Sequence, residues 1–105
     1  MNKSFFLQQV KEAITEIEPD SSIILFGSRS RGDATHESDW DFLIIVNHSV
    51  NFQEVNEIRD RLYELELNTD QIISSIVRSS EEWNSTKYKY TAFYKNVISE
   101  GTVIA

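Results

Sequence analysis

Apolar residues recur at helical spacing over residues 4–17, where Phe6, Val10, Ala13, Ile14 and Ile17 are separated mainly by Gln, Lys and Glu. That pattern predicts an amphipathic helix with Ser4 as its N-cap, ended by Pro19 and Asp20. An Ile-rich run at 22–26 (SIILF) stops at Gly27 and has the length of a buried strand. Residues 28–33 (SRSRGD) carry no large apolar side chain and predict a turn or a single helical turn. The longest uninterrupted apolar run, Phe42 to Val46, lies within a second strand at 40–46 (WDFLIIV). Asn47 to Asn51 predict a turn. In 52–66, Val55, Ile58, Leu62 and Leu65 mark a second amphipathic helix. A third strand is expected at 71–77 (QIISSIV), and a short helix begins near Glu81 to Trp83. Tyr90, Phe93, Tyr94 and Val97 suggest a last helix that ends at Gly101. The order α-β-turn-β-α-β-α predicts an α/β fold: a small mixed β-sheet with helices packed on one face.

Length adds a bound. The 105 residues suit one domain, expected to span 1–105, with a modest core and little room to grip a large substrate. Ten Lys+Arg against seventeen Asp+Glu leave a net charge of −7, which argues against broad nucleic-acid binding. A local basic cluster can still hold one phosphorylated ligand. The absence of cysteine excludes disulfides, thiolate metal sites and Cys nucleophiles. The opening MNKSFFLQQVKEA has only a short apolar run, too short for a signal-peptide core or a membrane span. A cytoplasmic location with no membrane contact is therefore expected.

The chemistry concentrates in Phe26 to Ile45, FGSRSRGDATHESDWDFLII. A strand ends at Gly27, and Ser28 follows at once. Glycine there lets the chain turn sharply and approach a ligand without a Cβ in the way. The backbone N–H groups and the Ser28 hydroxyl at the start of a helical turn favour phosphate. Arg29 and Arg31 add positive charge at the same place. Downstream, Asp39 and Asp41 flank Trp40 at the start of a strand, and strand alternation sends the two carboxylates to one face, about 7 Å apart. Such a pair repels itself unless a cation sits between, and Mg²⁺ suits oxygen ligands and phosphate. A phosphate-cradling turn beside a divalent-metal pair points to metal-assisted phosphoryl or nucleotidyl transfer.

This pattern, Gly27-Ser28, Arg29, Arg31, Gly32, Asp33 and then Ser38-Asp39-x-Asp41, resembles the minimal nucleotidyltransferase (MNT) branch of the DNA polymerase beta-like nucleotidyltransferase superfamily. The match is dense over some twenty residues and follows most of the chain in outline. The resemblance implies a palm-like nucleotidyltransferase fold. It implies that Gly27 and Ser28 hold the triphosphate, that Asp39 and Asp41 bind two Mg²⁺ ions, and that Arg29 and Arg31 assist at the phosphates. It further implies transfer of a nucleoside monophosphate, with ATP as donor, to an acceptor hydroxyl. Single-domain members that resemble this chain act as antitoxins beside a HEPN-type ribonuclease toxin, which they adenylylate on tyrosine. The family's third carboxylate normally lies on the strand after the next helix. Here QIISSIV contains no acid, and Asp70 at its mouth is the candidate.

Two other readings stay open. One is a nucleotide- or partner-binding module with weak or no turnover, motivated by the missing third acid. The other is a subunit of a small-molecule transferase of the aminoglycoside type, whose acceptor pocket comes from another chain. Elsewhere the side chains have ordinary explanations. Trp40 is expected in the core, and so are the tyrosines of the C-terminal stretch. His36 and His48 lie in separate loops with no second His nearby. Glu64 and Glu66 are expected to be solvated.

Overall fold

The computed structural model describes residues 2–105. In chain order the elements are α1 (Lys3–Ile17), β1 (Ser22–Phe26), α2 (Ser28–Arg31), β2 (Trp40–Val46), α3 (Phe52–Thr69), β3 (Ile73–Ser79), α4 (Ser80–Trp83), α5 (Thr86–Lys89), α6 (Ala92–Glu100) and β4 (Thr102–Val103). The four strands form one sheet in the order β3-β2-β1-β4. β1 pairs antiparallel with β2 and β4, and β2 pairs parallel with β3 across the α3 crossover, so the sheet is mixed.

Phe6, Val10 and Ile14 of α1 and Ile58, Leu62 and Leu65 of α3 are buried against Ile23, Leu25, Phe42, Ile44, Val46 and Val77 of the sheet. Those positions repeat at three or four residues on the helices and at two on the strands, the spacing each element needs to bury one side. The opposite sheet face is covered as well. Leu43 and Ile45 pack there with Trp83 and Val97, joined by Phe26, Tyr88, Phe93 and Tyr94. The expectation of helices on one face holds for the two long helices and omits this second layer. Its physical sign is the FLIIV run: a strand covered on both faces loses the alternation of apolar and polar positions, and every residue of β2 but Asp41 is buried.

Local chemistry moves several boundaries. Asn2, not Ser4, caps α1, its side chain accepting from the Ser4 and Phe5 backbone N–H groups. Asn51 and Glu54 form a reciprocal capping box that starts α3. α3 runs three residues past the expected end, and β3 correspondingly starts at Ile73 rather than Gln71. Glu66 is not solvated: its carboxylate accepts the Ile73 backbone N–H at 3.0 Å and closes the turn between α3 and β3. The single last helix resolves into α5 and α6, capped separately by Ser85 and Thr91. That break leaves Tyr90 76% exposed, outside the core in which it was expected. β4, only two residues long, has no apolar pattern that a sequence could display.

Candidate active site

The antiparallel register of β1 on β2 sets Phe26 opposite Asp41. The next residue, Gly27, therefore turns directly over the start of β2. It adopts φ 74°, ψ −160°, a conformation essentially reserved to glycine. A Cβ at this position would run into the Asp41 carboxylate oxygen Oδ2 and lie 3.3 Å from its Cγ. The turn and the acid thus touch, and glycine is what allows it.

Ser28 opens α2, a single helical turn. The Gly27 carbonyl accepts from the backbone N–H groups of Ser30 and Arg31, and the Ser28 carbonyl from that of Gly32. The N–H groups of Ser28 and Arg29 belong to the first turn, where the helix itself supplies no acceptor. The Ser28 hydroxyl makes no side-chain hydrogen bond among the described residues. A helical first turn of this kind is suited to an anion.

Asp41 is the one half-buried residue of β2, and Asp39 lies exposed one residue before the strand. The Asp41 carboxyl pKa is raised from its ordinary value, first by burial and then by the negative charge of Asp39, with Arg31 acting in the opposite direction. Asp39, Asp41 and Arg31 are therefore brought together electrostatically. Trp40 points the other way, 4% exposed, its ring centroid 4.6 Å from that of Phe6.

The two arginines contact different parts of the protein. Residues two apart on a helix project to nearly opposite sides. Arg31 reaches Asp33 at 3.4 Å and Glu100 at 3.3 Å, and those carboxylates raise its pKa. Arg29 turns to the α1 side. Its Nη2 donates to the Ser38 carbonyl at 2.9 Å and to the His36 carbonyl at 3.3 Å, and its guanidinium carbon stands 4.4 Å from the Trp40 ring centroid.

Asp70 does not belong to β3. It is the C-cap of α3, in the left-handed conformation at φ 57°, ψ 24°, and its backbone N–H donates to the Glu66 carbonyl. The alternation of faces along a strand does not apply to a helix cap. The β3 residue in register with Asp41 is Ser74. Register neighbours in a sheet share a face, so a serine stands beside the aspartate on the strand next to it. Sequence inspection missed this position because the strand begins two residues later than its apolar pattern suggests.

A second group of metal-capable side chains lies at the far end of β2. Glu18, His48 and Glu54 bring one ligand-type atom each within 4.8 Å of one another. Hydrogen bonding accounts for them. His48 Nε2 lies 2.9 Å from Glu18 Oε2, and Nδ1 lies 2.9 Å from the Ser49 carbonyl. Both partners are acceptors, so the doubly protonated ring is favoured and the His48 pKa is raised, chiefly by Glu18. The resulting stabilisation is fully present below the unfolded histidine pKa of about 6.5 and fades as pH rises through the raised folded value. Comparing melting temperatures with His48→Gln across pH 5.5–8.5 should show the wild-type advantage shrinking with rising pH. A difference that does not change with pH would refute the pairing.

A turn whose first backbone N–H groups have no acceptor in the helix is held against the Asp41 carboxylate at the rim of a mixed sheet. Residues 7–104 match the nucleotidyltransferase domain model, and the chain belongs to that family. "Putative protein adenylyltransferase MJ0604" of Methanocaldococcus jannaschii is 42% identical over 82 residues, spanning 78% of this chain and 75% of that protein. Among solved structures, a toxin–antitoxin with AMP-PNP superposes with a TM-score of 0.69 at 18% identity, covering 94% of this chain and 72% of the other. An MNT antitoxin in complex with a tri-AMPylated Shewanella oneidensis HEPN toxin gives a TM-score of 0.66 at 14% identity, with coverages of 99% and 72%. At those identities the likeness establishes the fold. Among the described residues, no helix is long and apolar enough to cross a membrane.

Proposed function

We propose that this chain transfers the adenylyl group of ATP to a hydroxyl of a protein partner, a HEPN-type toxin acting as acceptor. The observation that carries the reading is the contact between the Gly27 turn and Asp41, because a turn suited to phosphate and an acid suited to a cation then lie side by side. The relative named as a protein adenylyltransferase and the fold shared with MNT antitoxins support the acceptor class.

In this reaction the acceptor oxygen forms a bond to the α-phosphorus. The bond from that phosphorus to the α,β-bridging oxygen breaks, pyrophosphate leaves, and the hydroxyl proton is released to water. The Ser28 hydroxyl and the first-turn N–H groups would hold the leaving phosphates, with Arg31 adding positive charge from the same side. Nucleotidyltransferase domains of this family generally use divalent metal ions. The residues here fit Mg²⁺: Asp39 and Asp41 offer the hard oxygen donors it prefers, and the electrostatic penalty on the Asp41 carboxylate is one a cation relieves. Asp39 and Asp41 would hold two such ions, which supply charge neutralisation at the phosphates.

One observation favours a second reading, a nucleotide-binding module with little turnover. The strand beside Asp41 presents Ser74 rather than a carboxylate, and Asp70 lies outside that strand, at the end of α3. Incubation with α-labelled ATP, Mg²⁺ and a co-purified HEPN-fold partner separates the two. Label on the partner is expected. Magnesium-dependent nucleotide binding without any label would favour the module.

A further inference from the structure

We infer that Arg29 is a positioning residue for the Asp39/Asp41 pair rather than a phosphate ligand; the inference rests on the nucleotidyl-transfer reading. Asp39 sits between Ser38 and Trp40, and Arg29 grips both. Its Nε and Nη2 donate to the Ser38 carbonyl at 3.3 and 2.9 Å, a forked contact, while Nη2 also reaches the His36 carbonyl at 3.3 Å. The guanidinium carbon lies over the Trp40 ring, 4.4 Å from its centroid. Trp40 is itself fixed by Phe6 and by donation from its Nε1 to Gln71 Oε1 at 2.9 Å. Lys3 donates from its ammonium to the Arg29 carbonyl at 3.3 Å, tying the start of α1 to the same point.

The consequence is mechanical. Residues 33–39 form a loop without regular structure, and Asp39 hangs at its end, exposed. Arg29 lies one residue after Ser28, in the same helical turn. It therefore links the phosphate turn to the carbonyl immediately before Asp39. A hydrogen bond from a charged donor to a carbonyl is worth more than a neutral one, and a cation over an indole adds to it. The forked contact to the Ser38 carbonyl needs the planar guanidinium, which lysine lacks. The positive charge of Arg29 is spent on this loop, whereas Arg31 is the arginine whose charge reaches Asp41.

The two roles separate experimentally, because a phosphate ligand acts without metal and a carboxylate-positioning residue acts through it. AMP-PNP is titrated calorimetrically into the whole chain, with and without Mg²⁺, for wild type, Arg29→Gln, Arg29→Lys and Arg31→Gln. For Arg29→Gln the metal-free affinity should stay within about threefold of wild type, while the tightening produced by Mg²⁺ falls at least about tenfold. Arg29→Lys should resemble Arg29→Gln, since charge without the fork does not restore the loop. Arg31→Gln should weaken metal-free binding at least about fivefold. The inference is overturned if Arg29→Gln loses metal-free affinity as Arg31→Gln does, or if Arg29→Lys restores wild-type behaviour. Should Arg29→Gln fold poorly, the Arg29→Lys result decides alone. If wild-type protein shows no Mg²⁺-dependent AMP-PNP binding at all, the nucleotidyl-transfer reading itself fails, a result separable from either outcome for Arg29.

Discussion

Asparagine in place of Asp41 should abolish transfer and, at the same time, make the metal-free protein melt at a higher temperature. The opposite signs share one cause. Burial and the Asp39 charge disfavour the ionised Asp41 carboxylate in the folded chain. An acid whose folded pKa is raised costs stability wherever it is ionised, so at neutral pH the native state carries that penalty and a neutral amide removes it. The amide also removes the hard, charged oxygen that a magnesium ion requires. Loss of one hydrogen-bond donor to a developing charge costs about 10²–10³ in rate. Loss of a metal carboxylate should cost at least the upper end of that range. Differential scanning fluorimetry completes the test: Mg²⁺ with AMP-PNP should raise the melting temperature of wild type and leave Asp41→Asn unmoved. A variant that melts lower than wild type without metal would show that the carboxylate makes a stabilising contact instead.

Alanine at Gly27 should damage the same site from the other side. The backbone conformation there, at φ 74°, is one that residues with a Cβ avoid, and holding a residue in it costs roughly 1–3 kcal/mol. The added methyl also meets Asp41 Oδ2, so either the acid swings away or the turn opens. Transfer should fall about 10²-fold, as happens when a reacting group is displaced by about 1 Å. Gly32 is the internal control. It too has a positive φ, 91°, but nothing lies within 4 Å of a Cβ built there. Gly32→Ala should therefore lose stability through backbone strain, about 1–2 kcal/mol, while transfer stays within a few-fold of wild type. Equal losses of activity in the two variants would mean that backbone strain, rather than the collision with Asp41, matters at Gly27.

The part of this site that was legible in the sequence is the part set by short-range rules. Gly27 and Ser28 follow a strand directly, and Asp39 and Asp41 straddle a Trp that belongs in the core; spacing alone gives that much. What spacing could not give was direction and register. Arg29 and Arg31 look equivalent in a string of letters, yet one helical turn sends them to opposite sides. Asp70 looked like the mouth of the strand because α3 and β3 meet at a junction with no proline or glycine to mark it. The boundary there is set by Glu66 closing on the Ile73 N–H and by a left-handed cap at Asp70, neither of which has a periodic signature. The same limit hid Ser74 as the register partner of Asp41. In the fold, the long helices and β1 and β2 followed from their apolar repeats. The covering of the second sheet face depended on aromatic contacts among Phe26, Trp83, Phe93 and Tyr94, which pack with ring centroids 4.6–6.1 Å apart. Those contacts cross between separate elements, Phe26 to Phe93 over much of the chain, and no periodic pattern announces them.

The most direct measurement is calorimetric titration of AMP-PNP into the wild-type chain in the presence and absence of Mg²⁺. Because the cradle at Gly27 and the acid at Asp41 are in contact, magnesium should tighten nucleotide binding at least about tenfold, and Asp41→Asn should erase the difference. Equal affinity with and without magnesium would contradict a shared site for metal and triphosphate.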